Sequence, residues 1–385
     1  MDKVRFGIIG IGNIGTLHAR YMPDLKRAEL TAAADINPDK LEHAKKLSEG
    51  KVRCFDTAEA LMESGEVDAV IVATPHYDHP PLSMAGFERG LHVLVEKPVA
   101  VTARAAQEVN DAYAALSEKP VYAAMFQQRM NPVFRRVKAM IDNGELGEIK
   151  RVSWLITSWY RSQAYYDSGG WRATWSGEGG GVLINQCPHN LDMVQWLCGM
   201  PSRVTAHVGL GKHHDIEVED DVTALLEYPN GATGVFVTTT GDSPGTNRLE
   251  ITGDLGRIVI DHGRVEWTRT HQPVSQHLKT TPNAFGNIPN DVLDLTVNAP
   301  GGGHKEVTEH FVAAVLDGAE PIAHATEGIN GLELGNAMLM SGIQGRPIDI
   351  PTPRDQFDAM LKELAANSRG KKEIKDVATD INASF

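Results

Sequence analysis

The segment Val95-Glu96-Lys97-Pro98 closes a short apolar run and so puts a lysine at the carboxyl end of a strand. A lysine there can hold a substrate hydroxyl and ease its deprotonation, and burial lowers its pKa toward the working range. A second cluster runs Gly179-Gly180-Gly181-Val182-Leu183-Ile184-Asn185-Gln186-Cys187-Pro188-His189-Asn190-Leu191-Asp192. Read as one helix, it puts Asn185 and His189 on a shared face, with Asp192 a turn further on. Pro188 marks either a break in that helix or a late start. Histidine titrates near neutrality and suits a general base that removes a hydroxyl proton as hydride leaves the adjacent carbon. A hydrogen-bonded structural histidine is the alternative. Ahead of the glycines stand Trp159-Tyr160-Arg161 and Tyr165-Tyr166, then Trp171-Arg172. Aromatic faces stack on sugar rings, and Arg with Tyr hydroxyls reads polyol oxygens. Tyr160, Arg161, Tyr166 and Trp171 are the expected substrate contacts, and Arg172 serves cofactor or substrate. The alternative for this loop is a solvent-facing or oligomer contact.

Gly10-Ile11-Gly12-Asn13-Ile14-Gly15 follows the run Val4–Ile9 and opens a helix through Arg20. Asp35 ends the next strand about 20 residues beyond, completing a dinucleotide fingerprint. The glycines permit a tight turn, close backbone approach to a pyrophosphate and close helix packing, with the helix N-terminus facing the phosphates. Asp35 suits ribose hydroxyls and repels a 2′-phosphate, and no Arg or Lys follows before Lys40, so NAD is expected rather than NADP. The expected cofactor contacts are Gly10, Gly12, Asn13, Ile14, Gly15, Asp35, Thr74, Pro75, Glu96 and Lys97. His76 and His79, which follow strand Ala69–Ala73, either line that cleft or cap the next helix.

Short apolar runs at Val4–Gly10, Leu30–Ala34, Ala69–Ala73, His92–Val95 and Val121–Met125 read as buried strands. Helices are expected at Pro38–Ser48 and Thr102–Ser117, and the alternation predicts a doubly wound parallel sheet. After residue 125 the pattern changes. A helix at Asn131–Asn143 precedes alternating strands at Lys150–Trp159, Arg203–Gly209, Asp221–Tyr228, Ala232–Thr240, Arg248–Thr252 and Arg257–Ile260. Tight turns such as Tyr228-Pro229-Asn230-Gly231 imply a large open, mostly antiparallel sheet. Residues 270–303 read as a long irregular excursion, and helices follow at Glu306–Leu316, Glu327–Ser341 and Pro353–Asn367. The reading is an α/β chain with a Rossmann domain at 1–125 and a substrate-binding and oligomerisation domain at 126–385.

The chain has 385 residues, 50 acidic against 37 basic, and a formal charge of −13. That balance disfavours a nucleic-acid partner, which needs a concentrated basic face. No stretch reaches the roughly 18 apolar residues of a membrane span, and the N-terminus lacks signal-peptide architecture. Three cysteines without a CxxC pair fit a reducing cytoplasm and offer neither a disulfide framework nor a zinc site. His213-His214-Asp215-Ile216-Glu217 reads as a solvated turn rather than a metal site.

Together, Gly10–Gly15, Glu96-Lys97-Pro98 and Gly180…Asn185…His189-Asn190-Leu191-Asp192 resemble the Gfo/Idh/MocA oxidoreductases, over nearly the whole chain. Gln128-Arg129-Met130-Asn131-Pro132 resembles the family's domain-crossing segment, and Arg129 is counted with the substrate contacts. The resemblance implies a substrate site between the two domains and a homodimer or homotetramer through the second sheet. It makes Lys97 and His189 the catalytic pair and needs no metal. Position 185 departs from the commoner Asp: Asn185 can orient a substrate hydroxyl but cannot accept its proton. The expected activity is reversible NAD-dependent oxidation of a secondary hydroxyl on a sugar, sugar derivative or inositol. The alternative is glycoside cleavage through transient oxidation with NAD recycled in place.

Overall fold

The computed structural model describes residues 2–297, 299 and 301–370. Six strands form the first sheet: β1 Val4–Ile9, β2 Ala28–Ala34, β3 Arg53–Phe55, β4 Ala69–Val72, β5 His92–Val95 and β6 Tyr122–Ala124. Their order is β3-β2-β1-β4-β5-β6, and each neighbouring pair is parallel. Both faces are covered, which is why these strands read as nearly unbroken apolar runs. Val4, Phe6 and Ile8 enter one core and Ile9 the other. The connecting helices start where local chemistry favours it. Asn37 caps Pro38–Leu47 by accepting from the Asp39 N–H, and Thr102 caps Ala103–Ala114 through the Ala105 N–H.

The second sheet has nine strands: β7 Ile149–Ile156, β8 Arg203–Leu210, β9 Glu219–Glu227, β10 Thr233–Thr239, β11 Asn247–Gly253, β12 Gly256–Asp261, β13 Arg264–Thr270, β14 Asn290–Asp294 and β15 Ile348–Asp349. The order is β14-β13-β12-β11-β7-β10-β9-β8-β15. Every pair is antiparallel except β7 with β10. One face packs on the helices Pro188–Cys198 and Gly328–Gln344, burying Trp154, Val222, Ala224 and Phe236.

The structure corrects three expectations. Residues 270–303 are not uniformly irregular, since they hold the helix Val274–Thr280 and edge strand β14. Pairing with β13 orders this polar strand, so its own hydrophobicity gave no signal. The linear division at residue 125 also gives way. The helix His304–Asp317 returns to the first sheet, where Val307, Phe311 and Val312 share a core with Val4 and Phe6. Ala323 and Ala325 join the core on its other side. Finally, the helix after the glycines begins only at Pro188, so Asn185 lies in the turn before it and shares no helix face with His189.

Candidate active site

The glycine turn joins β1 to the helix Asn13–Tyr21. Gly10 sits at φ +92°, and a Cβ on Gly15 would lie 1.9 Å from the Gly10 carbonyl oxygen, so neither position takes a side chain freely. Around Gly12 the space is open. No side chain caps this helix and its first turn has no acid, so its N–H groups stand ready for an anion. Asn13 is exposed and Ile14 half-buried at that end. Asp35 accepts from the Ile11 N–H at 2.7 Å and the Asn37 N–H at 2.8 Å. A carboxylate has about four acceptor positions, so capacity remains for ribose hydroxyls. Next to it Ile36 is 93% exposed, an apolar surface at the strand end that suits an adenine face and that sequence reasoning missed.

Across the same edge, the Lys97 ammonium donates to the Asn185 carbonyl at 2.9 Å. Burial lowers the Lys97 pKa, Arg172 and Arg161 add to that, and the carboxylates Glu96 and Glu178 oppose it. Glu96 points away from the cleft and pairs with His18 at 2.8 Å. Burial would raise its pKa, but His18, His304 and Lys97 bring it down to about 2. Glu178 is buried directly before the glycines. It accepts from the Asn185 side-chain amide and from the Ala173 N–H, and burial raises its pKa. Nothing in the residue pattern marks it, because one carboxylate outside any periodic segment looks like surface charge. Asn185 is thus held between Glu178 and the Tyr165 hydroxyl.

His189 is buried, and neither ring nitrogen has a hydrogen-bond partner among the described residues. Burial first, then the charge of Lys97, drives its pKa far down, so the ring is neutral at pH 7 and can hydrogen-bond a substrate hydroxyl. It borders a cavity of about 310 Å³ together with Trp159, Arg161 and Asn190. Arg172 lies over the Tyr165 and Trp171 rings and donates to the Tyr165 hydroxyl at 2.6 Å. His76 lies edge-on to Trp171, with Nδ1 3.3 Å from the Glu178 carbonyl. Tyr160 is exposed at the mouth.

Other candidates lie elsewhere. Both ring nitrogens of His79 meet carbonyl oxygens, those of Pro98 and Thr74, so it braces the loop from inside. Beside it, Thr74 and Pro75 form the β4 end of the edge. Tyr166 is buried with its hydroxyl on Thr240 at 2.8 Å, which turns it away from the cleft. Arg129 is fully engaged by Asp192 and Glu327, which withdraws it from the substrate contacts. His214 bridges Asp220 and the Arg161 carbonyl, so it shapes the loop that carries Arg161.

Residues 4–124 match the family model described as an oxidoreductase family with an NAD-binding Rossmann fold, and 134–259 match the GFO/IDH/MocA C-terminal domain. An uncharacterized oxidoreductase of Streptococcus pneumoniae is 30% identical over 67% of this chain and 68% of its own. The chain belongs to the Gfo/Idh/MocA oxidoreductases. Among other members of the family, the inositol 2-dehydrogenase of Rhizobium meliloti is 27% identical over 90% of this chain and 99% of its own length. The WlbA dehydrogenase from Bordetella pertussis, solved with NADH and UDP-GlcNAcA, superposes with a TM-score of 0.74. It is 27% identical, covering 91% of this chain and 99% of that one.

The cofactor of this Gfo/Idh/MocA chain is NAD, and the open turn at Gly12, the uncapped helix and Asp35 fit it. Beneath the second glycine cluster lies another buried carboxyl. Glu219 accepts from the Gly181 N–H at 2.8 Å and the Leu183 N–H at 3.1 Å, and a Cβ on Gly181 would sit 2.0 Å from the Glu219 carbonyl oxygen. Burial pushes its pKa up to about 7, so the folded protein holds a proton there that the unfolded chain releases above about pH 4.3. This contribution is full below the unfolded value and lost as pH rises through 7, on the order of 3 kcal/mol. Glu219→Gln is expected to flatten the fall in melting temperature between pH 5 and 8. An unchanged pH profile in that variant would show that Glu219 does not titrate in this window.

Proposed function

We propose that the chain oxidises a secondary hydroxyl of a sugar, sugar derivative or inositol, reversibly, with NAD as acceptor. The carrying observation is the pairing of Lys97, its ammonium destabilised by burial, with the neutral His189, whose ring nitrogens have no hydrogen-bond partner among the described residues. NAD supplies the hydride acceptor, so a CH–OH group becomes a ketone as NADH forms and one proton leaves the hydroxyl oxygen. The protein's part is to take that proton. Lys97 in its free-base form or His189 accepts it, and the other holds the oxygen. Asn185, fixed by Glu178 and Tyr165, orients a neighbouring hydroxyl. Trp171 and Arg172 close the side of the cleft with rings and donors suited to a polyhydroxylated ring. The inositol 2-dehydrogenase among its relatives supports this substrate class.

The exposed Leu155 and Leu225, on the outer face of the second sheet, support self-association through that face as a homodimer or homotetramer.

The test is a panel of hexoses, uronic acids, amino sugars and inositols with NAD, read by the absorbance of NADH. At least one ring is expected to give stoichiometric NADH and a ketone. Cleavage of a glycoside with only catalytic NAD and no net NADH would replace this reading with the redox-recycling one.

A further inference from the structure

The cavity beside His189 is built for an anion, and we propose that it receives a carboxylate carried by the substrate ring, which makes the substrate a sugar acid. The inference rests on the oxidation reading above and specifies its substrate. The cavity holds about 310 Å³. That is far more than the roughly 10–15 Å³ that one water needs, and leaves room for a monosaccharide ring. Its wall comes from four separate parts of the chain and, among the described residues, contains one cation, Arg161, and no Asp or Glu.

The polar groups of the wall are arranged as donors. Asn190 accepts from the Trp159 indole at 3.2 Å through its carbonyl oxygen, and Asn247 accepts from the Trp154 indole at 3.0 Å in the same way. Each amide keeps its NH₂ group to offer, beside one remaining lone pair on the oxygen. The Arg161 guanidinium is held between the Trp159 and Tyr165 rings, and one of its nitrogens donates to the Tyr160 carbonyl. Its Nε is buried and has no hydrogen-bond partner among the described residues. A buried guanidinium nitrogen without an acceptor is costly, and an ionised acceptor returns the most for it.

A neutral polyol would need acceptors as well as donors around it, because each hydroxyl donates as well as accepts. Gln128, Ser158, His189 and the two amide oxygens give this wall neutral acceptors, but its one charged group is the cation Arg161, which an anion engages best. Lys97 and Arg172 add positive charge nearby, and Arg161 itself contributes to lowering the Lys97 pKa. The opposing carboxylates do not reach the cavity: Glu96 is turned to His18, and Glu178 is spent on Asn185 and Ala173. His189 borders the same space, so a carboxylate on Arg161 leaves the ring's hydroxyls facing the catalytic groups.

Trp154 and Trp159 line the cavity, so ligand entry can be read by tryptophan fluorescence without turnover. NADH-loaded protein, which holds no hydride acceptor and so cannot oxidise the ring, is titrated with D-glucuronate, D-galacturonate and D-gluconate, each against its neutral counterpart. At least one acid is expected to bind about 10-fold or more tighter than its neutral partner, because a charge-assisted hydrogen bond is stronger than a neutral one. Arg161→Gln is expected to bring that pair to the same affinity, and Arg161→Lys to retain part of the preference. Equal affinities in the wild type, or a preference that survives Arg161→Gln, would overturn the proposal. Because binding is read separately from NADH formation, a protein that prefers the acid but oxidises no ring refutes the oxidation reading and leaves this subsite standing.

Discussion

Lys97→Ala is expected to lower kcat by about 10²–10⁴-fold, with a far smaller effect on NAD binding. The glycine turn follows β1 and Asp35 follows β2, whereas Lys97 follows β5. What the variant loses is the amine that meets the substrate oxygen. Lys97→Arg separates the two things a lysine does there. It keeps a cation beside the oxygen, but a guanidinium does not give up its proton near neutral pH, so it restores binding without restoring the base. In the wild type, oxidation is expected to quicken with rising pH as the ammonium is lost. Burial places that limb below the ordinary lysine range, with Arg172 and Arg161 helping and Glu96 and Glu178 resisting. Stopped-flow NADH formation across pH on both variants provides the check. If Lys97→Ala stays within about 10-fold of wild type, the base is elsewhere, and His189→Ala becomes the decisive variant.

How much of this could be read beforehand depended on the physics behind each signal. The first sheet was legible because parallel strands buried on both faces must be apolar throughout, and its helices carry their caps in the sequence. Lys97 was legible too, since a strand end next to a proline is a local signal. The turn at Asn185 was not. Pro188 does start the helix, but sequence alone could not choose between a break and a late start. Arg161 and His189 stood out in the sequence, but Glu178 and the way the rest of the cavity wall assembles around them did not, for a different reason. Gln128, Asn190 and Asn247 meet only through the packing of a connector, a helix and a strand. No spacing records such a meeting. The return of His304–Asp317 to the first core is likewise long-range, and its apolar face would have suited either domain equally.

Arg129 is where the resemblance and the geometry part, and it carries the second large effect. Its side chain is 2% exposed. Nε and one Nη donate to the two Asp192 oxygens at 2.8 and 2.6 Å, and the other Nη reaches Glu327 at 2.6 Å. The guanidinium also lies over the Phe126 and Trp196 rings. It therefore pins the domain-crossing segment to the helix Pro188–Cys198 and to the turn before Gly328–Gln344. Arg129→Met leaves Asp192 buried without its partner, which is expected to cost about 3–5 kcal/mol. At roughly 2–4 °C per kcal/mol this is a fall in melting temperature on the order of 10 °C. Burial already holds the Asp192 pKa above its ordinary value against the pull of Arg129, and removing Arg129 raises it further. The deficit should therefore shrink on acidification, as the orphaned carboxyl takes up a proton, and widen toward neutral pH. Removing both charges, as in Arg129→Met with Asp192→Leu, should recover much of the loss, because no uncompensated ion remains. Substrate KM, measured well below the melting temperature, should not move in either variant. A stable Arg129→Met protein with a raised KM would return Arg129 to the substrate and remove it from the joint between the domains.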